Sequence, residues 1–480
     1  MRSGKDQGLS VPGSPDGIPP AARAPAPARP ARNATIHPAR DAVMRHAAKQ
    51  CERFPQLELA PLQLPPMDER DAALAHAIWD VVVRRWLTLG YLLNLKIDQP
   101  LEAIESPVRA ALLVGAAQIF FLDRVPAYAA IDHAVEWAKA TVRPGAGGLV
   151  NAVLRRMSEL KLEGTVEYSN TRDKLPTGDG QAIKLASPVL PDEDALRLAV
   201  VTSHPLPLLR DWAKRFGIDA ARKAALHALA PAPTVLNTLH AEPSTLPGPE
   251  LIGAHDEPGC KVWLGTHEQL RELLASREDL WVQDASSCGA VRSVSDLHPN
   301  LVIDLCAGQG TKTRQLCATF PSAHVVACDT DLRRATTLLG VFAHRRSVRV
   351  KEIDEVLGEY AGQADLILLD VPCSNTGVLA RRPEAKYRHT DASIAELVAI
   401  QKSIVERAVT LLGDRPNAAI LYSTCSLDAR ENQEVALWAC EKFNLVASRQ
   451  RQQLPTGGPG QPGSRYRDGA YSVLLARKAM

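Results

Sequence analysis

From Asp284 to its end, the 480-residue chain alternates short apolar runs with helix-length amphipathic stretches, and this rhythm constrains the fold more than any other feature. Leu301 to Leu305, His324 to Cys328, Ser347 to Lys351, Asp365 to Leu369 and Ala418 to Tyr422 read as strands. Thr311 to Thr319, Leu332 to His344 and Ile394 to Leu412 read as the helices between them. Such βαβ alternation predicts a doubly wound, largely parallel sheet, whose ligand crevice lies beyond the carboxyl ends of its strands.

Polar clusters stand at those strand ends. Cys373 lies in Leu369-Asp370-Val371-Pro372-Cys373-Ser374-Asn375-Thr376-Gly377, and Cys425 in Tyr422-Ser423-Thr424-Cys425-Ser426-Leu427. Most free cysteines are small buried hydrophobes, the reading we give Cys317, Cys328 and Cys440. Two thiols brought to one crevice instead suit a reaction that needs a nucleophile and a second proton-handling group. The chain has no closely spaced cysteine pair, so a zinc site is not expected, nor any other metal.

The first strand runs into Asp304-Leu305-Cys306-Ala307-Gly308-Gln309-Gly310-Thr311-Lys312-Thr313. Gly308 and Gly310 allow a tight turn and close ligand approach, and the helix that follows offers free amides at its start. The second strand ends in Asp329, about 20 residues beyond the glycines, where an acidic side chain holds ribose hydroxyls. Asp354 follows the third strand, placed to accept from an adenine amino group, and Asp370 ends the fourth. One glycine loop with three carboxylates suits S-adenosylmethionine better than a pyrophosphate, which carboxylates repel. The expected cofactor residues are therefore Cys306, Ala307, Gly308, Gln309, Gly310, Thr311, Lys312, Asp329, Asp354 and Asp370.

The rest of the chain divides by composition. Residues 1–40 are rich in Pro, Ala, Gly and Arg without hydrophobic periodicity, and read as a disordered tail. Residues 41–162 are helical in pattern throughout. Asp68 opens a helix bearing Leu74, Ile78, Val81, Val82 and Trp86, Pro107 starts another, and Ala127 to Ala140 and Gly148 to Met157 supply two more. Residues 163–193 are polar and read as a linker or insertion, residues 194–282 as a small α+β domain, and residues 283–480 as the α/β domain. Ala110 to Leu122 is the longest apolar stretch and falls short of the ~18 residues a membrane span requires. Nine cysteines in no disulfide-like framework favour a reducing compartment, so the cytoplasm is expected. A formal charge of +2 marks no nucleic-acid binder by itself, though Arg333-Arg334, His344-Arg345-Arg346 and Arg381-Arg382 form local basic clusters. Nothing in the sequence points beyond a monomer.

Residues 284–480 resemble the RNA 5-methylcytosine methyltransferases. The resemblance rests on the loop from Asp304 to Thr313, on Asp370-Val371-Pro372-Cys373-Ser374 with Gly377 and Arg381-Arg382-Pro383-Glu384 with Lys386, and on Ser423-Thr424-Cys425-Ser426 with Glu431-Asn432. Gln283-Asp284-Ala285-Ser286-Ser287 and Asp468-Gly469 also fit. In the loop, Gly308-Gln309-Gly310-Thr311 departs from the family's usual Ala-Pro-Gly-Gly. Gln118-Ile119 to Arg124-Val125-Pro126, Ala129-Ala130-Ile131 and Gly148 to Arg155 are similar to the NusB antitermination domain. That domain ahead of this catalytic one resembles the Sun/Fmu type of small-subunit rRNA methyltransferase.

The resemblance implies three domains: an all-α NusB-like one that binds RNA, a small α+β linker and a Rossmann-like S-adenosylmethionine-dependent methyltransferase. It implies that Cys425 adds to C6 of a cytosine, that Asp370 supports the base near N3, and that Cys373 assists release after C5 is methylated. Lys312 would either lower the thiol pKa or cap the loop. Arg381, Arg382, Lys386 and Arg388 would meet RNA phosphates, and the substrate would be small-subunit rRNA. The competing readings are the same chemistry on tRNA or another rRNA site, and a non-catalytic RNA-binding scaffold.

Overall fold

The structure, a computed structural model, describes residues 37–478, so almost all of the expected tail lies outside the described residues. Helix α1 (Pro38–Arg53) begins earlier than the sequence suggests, because a proline in its first turn presets the backbone and Ala39 and Arg40 are already buried. It is followed by α2 (Glu69–Asn94), α3 (Ser106–Phe121), α4 (Ala127–Thr141) and α5 (Ala146–Ser158). The Asp68 carboxylate accepts from the Asp71 amide at 2.8 Å and sets the start of α2. Helix α3 is apolar on every side and is buried from Ala110 to Phe120, and the other four helices pack around it. Gln118, the one polar side chain within that buried run, accepts from Arg40 Nε at 2.7 Å.

The segment expected as a linker is a small antiparallel sheet of β1 (Lys161–Glu167), β2 (Lys174–Pro176) and β3 (Gln181–Leu185), in the order β1-β3-β2. Its polar composition misled because β1 is exposed along nearly its whole length. Leu175, Ile183 and Leu185 bury themselves against the helical core.

Helices α6 (Asp194–Thr202), α7 (Leu206–Phe216) and α8 (Ile218–His227) then pack around buried Trp212. An antiparallel sheet follows, formed by β4 (Val235–Asn237), β5 (Ile252–Ala254), β6 (Cys260–Trp263) and β7 (Trp281–Val282) in the order β5-β6-β4-β7. Helix α9 (His267–Ser276) lies between β6 and β7 in sequence and starts in a capping box of Thr266 and Gln269.

The last domain comprises α10 (Ala285–Arg292), β8 (Leu301–Asp304), α11 (Thr311–Thr319), β9 (His324–Ala327), α12 (Leu332–Phe342), β10 (Val348–Val350) and α13 (Ile353–Glu359). It continues through β11 (Leu366–Asp370), α14 (Asp391–Leu411), β12 (Ala419–Thr424), α15 (Gln433–Phe443), β13 (Leu445–Gln453) and β14 (Ala470–Arg477). The seven strands run in the order β10-β9-β8-β11-β12-β14-β13, the first five parallel and β14 and β13 antiparallel. Alternate residues feed cores on the two faces: Ile303, Leu369 and Tyr422 on one, Val302, Leu368 and Leu421 on the other. All five strands expected from the sequence are present. The hairpin of β13 and β14 was not foreseen, because Ser448-Arg449-Gln450-Arg451-Gln452 on an exposed edge carries no apolar signal.

The stretch Arg382 to Arg388 joins this domain to the helical one. Tyr387 belongs to the helical core: its hydroxyl donates to the Val83 carbonyl at 2.7 Å and lies 2.9 Å from Ser203 Oγ, and its ring lies 5.6 Å from Phe54. Lys386 is wholly buried and donates to the carbonyls of Arg84 and Thr202. Arg388 donates to the Leu57 carbonyl at 2.6 Å. Lys386 therefore cannot meet RNA phosphates as the sequence suggested, since its ammonium is closed inside the joint, and Arg388 is engaged there too.

Tyr387→Phe should remove about 1–2 kcal/mol of stability by leaving the buried Val83 carbonyl without its donor. Urea unfolding checks this, and an unchanged midpoint would mean that the joint does not depend on the hydroxyl.

Candidate active site

Parallel pairing brings the ends of β8, β11 and β12 to one edge of the sheet, with Leu368 opposite Asp304 and Asp370 opposite Ser423. Three turns leave from there. In the turn after β8, Gly308 (φ +57°) and Gly310 (φ +86°) adopt the left-handed backbone that glycine tolerates. A Cβ on Gly310 would stand 2.7 Å from the Phe342 ring, whereas Gly308 faces open space. The Gly308 amide donates to Asp329 at 2.9 Å, which ties this turn to the end of β9. Gln309 is exposed, Ala307 is buried, and burial pushes the Cys306 thiol well above its ordinary value. Thr311 opens α11, and Asp354 is exposed in the first turn of α13.

Asp304 itself is fully buried and is pushed up to about 7 by desolvation, even though Thr313 Oγ1 donates to it at 2.6 Å. Its other oxygen has no partner. Lys312, in the first turn of α11, donates to Asp370 at 2.7 Å. Burial alone would lower the Lys312 ammonium, but Asp370 outweighs it and holds the lysine above its ordinary value, so the pair is ionic. Lys312 thus anchors the end of β11 and feels Cys425 as well. Ser423 Oγ lies 3.3 Å from the second Asp370 oxygen.

The two thiols meet. Cys373 Sγ and Cys425 Sγ are 3.2 Å apart, Cys373 buried and Cys425 partly open. The hydrogen bond to Cys425, reinforced by burial, pushes the Cys373 thiol well above its ordinary value. With the Cys425 proton directed at Asn375 Oδ1, Cys373 is the donor of the pair.

Glu431 clasps the two turns from behind. Its fully buried carboxylate accepts from the Ser374 amide at 2.8 Å, from the Ser374 and Ser426 hydroxyls at 2.5 Å each, and from Gln401 Nε2 at 3.1 Å. Ser374 follows one cysteine and Ser426 the other. Gly377 closes the front: its amide donates to the Cys425 carbonyl at 2.8 Å, and the Gly469 amide donates to its own carbonyl at 2.7 Å. Asn375, at φ +58°, donates Nδ2 to the Cys373 carbonyl and accepts from Cys425 Sγ at 3.1 Å.

Of the four expected phosphate contacts, Arg381 and Arg382 are exposed, but the Arg381 guanidinium is engaged with Asp468 and Asp284, while that of Arg382 lies 3.9 Å from Glu384 and donates to the Leu59 carbonyl. Sequence reasoning had marked Glu431 and Gly377 as motif residues without assigning them a task. Asn375 and Gln401 were missed. Gln401 sits within α14 with no motif around it, and only its full burial in a charged-rich helix marks it.

Residues 295–461 match the family described as 16S rRNA methyltransferase RsmB/F, and residues 37–159 match the NusB family. The ribosomal RNA small subunit methyltransferase B of Shigella flexneri is 29% identical over 429 residues, which cover 86% of this chain and 90% of that protein. The protein of the same name from Escherichia coli O157:H7 is also 29% identical, with the same coverage. Among solved structures, that of PH0851 superposes with a TM-score of 0.65 at 19% identity, covering 92% of this chain and 99% of that one, which establishes a shared fold.

Two outcomes follow from this geometry. Gly377→Ala places a Cβ 2.5 Å from the Gly469 carbonyl and 2.7 Å from that of Cys425, so it should cost about 1–3 kcal/mol and spread the thiols. Slower crosslinking of Cys373 to Cys425 by a short bifunctional thiol reagent would register the spread. Asp304 is pushed up from an ordinary 3.8 to about 7, so the folded state binds its proton more tightly than the unfolded chain does. Its contribution to stability is complete below pH 4 and is lost as pH rises to 7, on the order of 2–4 kcal/mol. Urea midpoints should therefore fall less steeply between pH 5 and pH 8 in Asp304→Asn than in the parent protein; equal slopes would contradict this.

Proposed function

We propose that the chain, which matches the RsmB/F methyltransferase family with a NusB-family domain ahead of it, is an S-adenosylmethionine-dependent rRNA methyltransferase that methylates C5 of one cytosine in small-subunit rRNA. The observation that carries this reading is the 3.2 Å approach of two thiols, one buried and one partly open.

Cytosine C5 is a weak nucleophile. Sulfur adding at C6 pushes electron density onto C5, and Cys425, the more open thiol, is the group placed to add. Cys373 donates to that sulfur and so favours its ionised form. Asp370, held by Lys312 and Ser423, supports the base near N3 as the charge moves. After methylation the C5 proton must leave before the C6–S bond can break. Cys373, after passing its own proton to solvent, is the thiolate beside the adduct, and taking the C5 proton restores the C5–C6 double bond and expels the Cys425 thiolate.

The residues present fit S-adenosylmethionine, which supplies the methyl group from its sulfonium. Gly308 opens onto free space, the first amides of α11 lie beside it, and the Asp329 and Asp370 carboxylates stand beyond β9 and at the end of β11, the strands on either side of β8. We assign the cofactor to Cys306, Ala307, Gly308, Gln309, Gly310, Thr311, Lys312, Asp329, Asp354 and Asp370. The glycine pair compensates for the loop's lost proline through the bond from Gly308 to Asp329. The target base has to be unpaired or flipped to reach the sulfurs. Arg382 and the helical domain are the parts left to position the RNA.

Labelled S-adenosylmethionine should transfer methyl to small-subunit rRNA and not to tRNA. Cys425→Ala should abolish transfer, and Cys373→Ala should accumulate a covalent protein–RNA adduct. Transfer to tRNA alone would move the substrate, and absence of both transfer and cofactor binding would leave only an RNA-binding scaffold.

A further inference from the structure

Asn375 stands between the residues that carry the family resemblance and is not one of them, yet its side chain touches the reacting sulfur. Three observations single it out. It holds a left-handed backbone (φ +58°), which costs a residue with a side chain energy unless something fixes it. Its Nδ2 donates to the Cys373 carbonyl at 2.9 Å, and that bond settles which end of the carboxamide faces the thiols. Its Oδ1 consequently lies 3.1 Å from Cys425 Sγ, where a carbonyl oxygen can only accept.

The bonds form one directed chain. Cys373 donates S–H to Cys425 sulfur, and Cys425 donates S–H to Asn375. The Cys425 proton is thereby directed at Asn375, and a thiolate there would face a carbonyl dipole end-on. The other charged or titratable groups around it are Cys373 on the turn after β11, Lys312 of α11 with Asp370 at the end of β11, and Glu431 behind both turns. Lys312 and the Cys373 donor favour the thiolate, and Asn375 opposes them.

We propose that Asn375 is a catalytic residue, a latch whose carboxamide oxygen retains the Cys425 proton in the resting site and turns away when the target base enters. A nucleophile kept neutral until then is protected from stray electrophiles and oxidants. The inference rests on Cys425 being the nucleophile.

The test uses the full chain without RNA, so its outcome does not depend on which RNA is the substrate. The rate of Cys425 alkylation by iodoacetamide is followed against pH by peptide mass spectrometry, in the parent protein, Asn375→Gly and Asn375→Asp. Glycine accepts the left-handed backbone, so that variant keeps the turn. Asn375→Gly should alkylate about five-fold faster at pH 7, the effect of losing one neutral hydrogen bond to the thiol form. Asn375→Asp should move the midpoint upward by about one pH unit, since a carboxylate then faces the sulfur. Coincident profiles for all three, or slower alkylation of Asn375→Gly, would overturn the latch. A Cys425 that alkylates as expected but forms no RNA adduct would instead count against the proposed function alone.

Discussion

The parallel pairing of β11 with β12 is the constraint on which the site depends. Two adjacent parallel strands must release their chains at the same edge, and the register of Asp370 with Ser423 sets the distance at which they do so. Cys373 and Cys425 are three and two residues further on, so a shift of register would separate the sulfurs by a strand step. The fully buried Glu431 carboxylate converts that proximity into a fixed geometry. Four donors satisfy it, and among the described residues no cation pairs with it. Buried charge satisfied by neutral donors is directional, and three of the four donors come from Ser374 and Ser426, the residues that follow the two thiols.

Positive charge is used elsewhere, and sparingly. Lys312 neutralises Asp370 at the floor of the crevice, while Arg381 spans Asp284 and Asp468 to steady the chain that brings Gly469 onto Gly377. Of the basic residues that look most like an RNA surface in the sequence, Arg381, Lys386 and Arg388 are engaged within the fold, whereas Arg333, Arg334 and Arg346 stay exposed. A net charge of only +2 is consistent with a molecule whose arginines mostly have internal partners.

Much of the catalytic domain was legible because a doubly wound sheet repeats one pattern: an apolar run, a polar strand end, an amphipathic helix. The strands bearing Asp304, Asp329, Asp370 and Cys425 announce themselves in this way. What failed to show obeys no such period. β1 and β13 lie exposed, so neither face carries an apolar stripe. Lys386 looked like a phosphate contact because a charged residue in a basic cluster is ordinarily solvated, and only the tertiary fold reveals the carbonyls around it. Asn375 was illegible for a different reason: its importance arises from a backbone angle and from two partners on separate turns.

The burial of Tyr387 in the helical core bears on how the molecule could be divided. The ten residues from Gly377 to Lys386 run directly from the Cys373 turn into that core, so the turn has one end in the active site and the other in a different domain. The catalytic half is not an excisable module. A protein cut after residue 162 would present a bare lysine and tyrosine to water in place of a packed joint, and would lose the anchor that stretches the Cys373 turn across the sheet edge. Any exchange of the helical domain for another would have to supply new partners for Lys386 and Tyr387 at this joint.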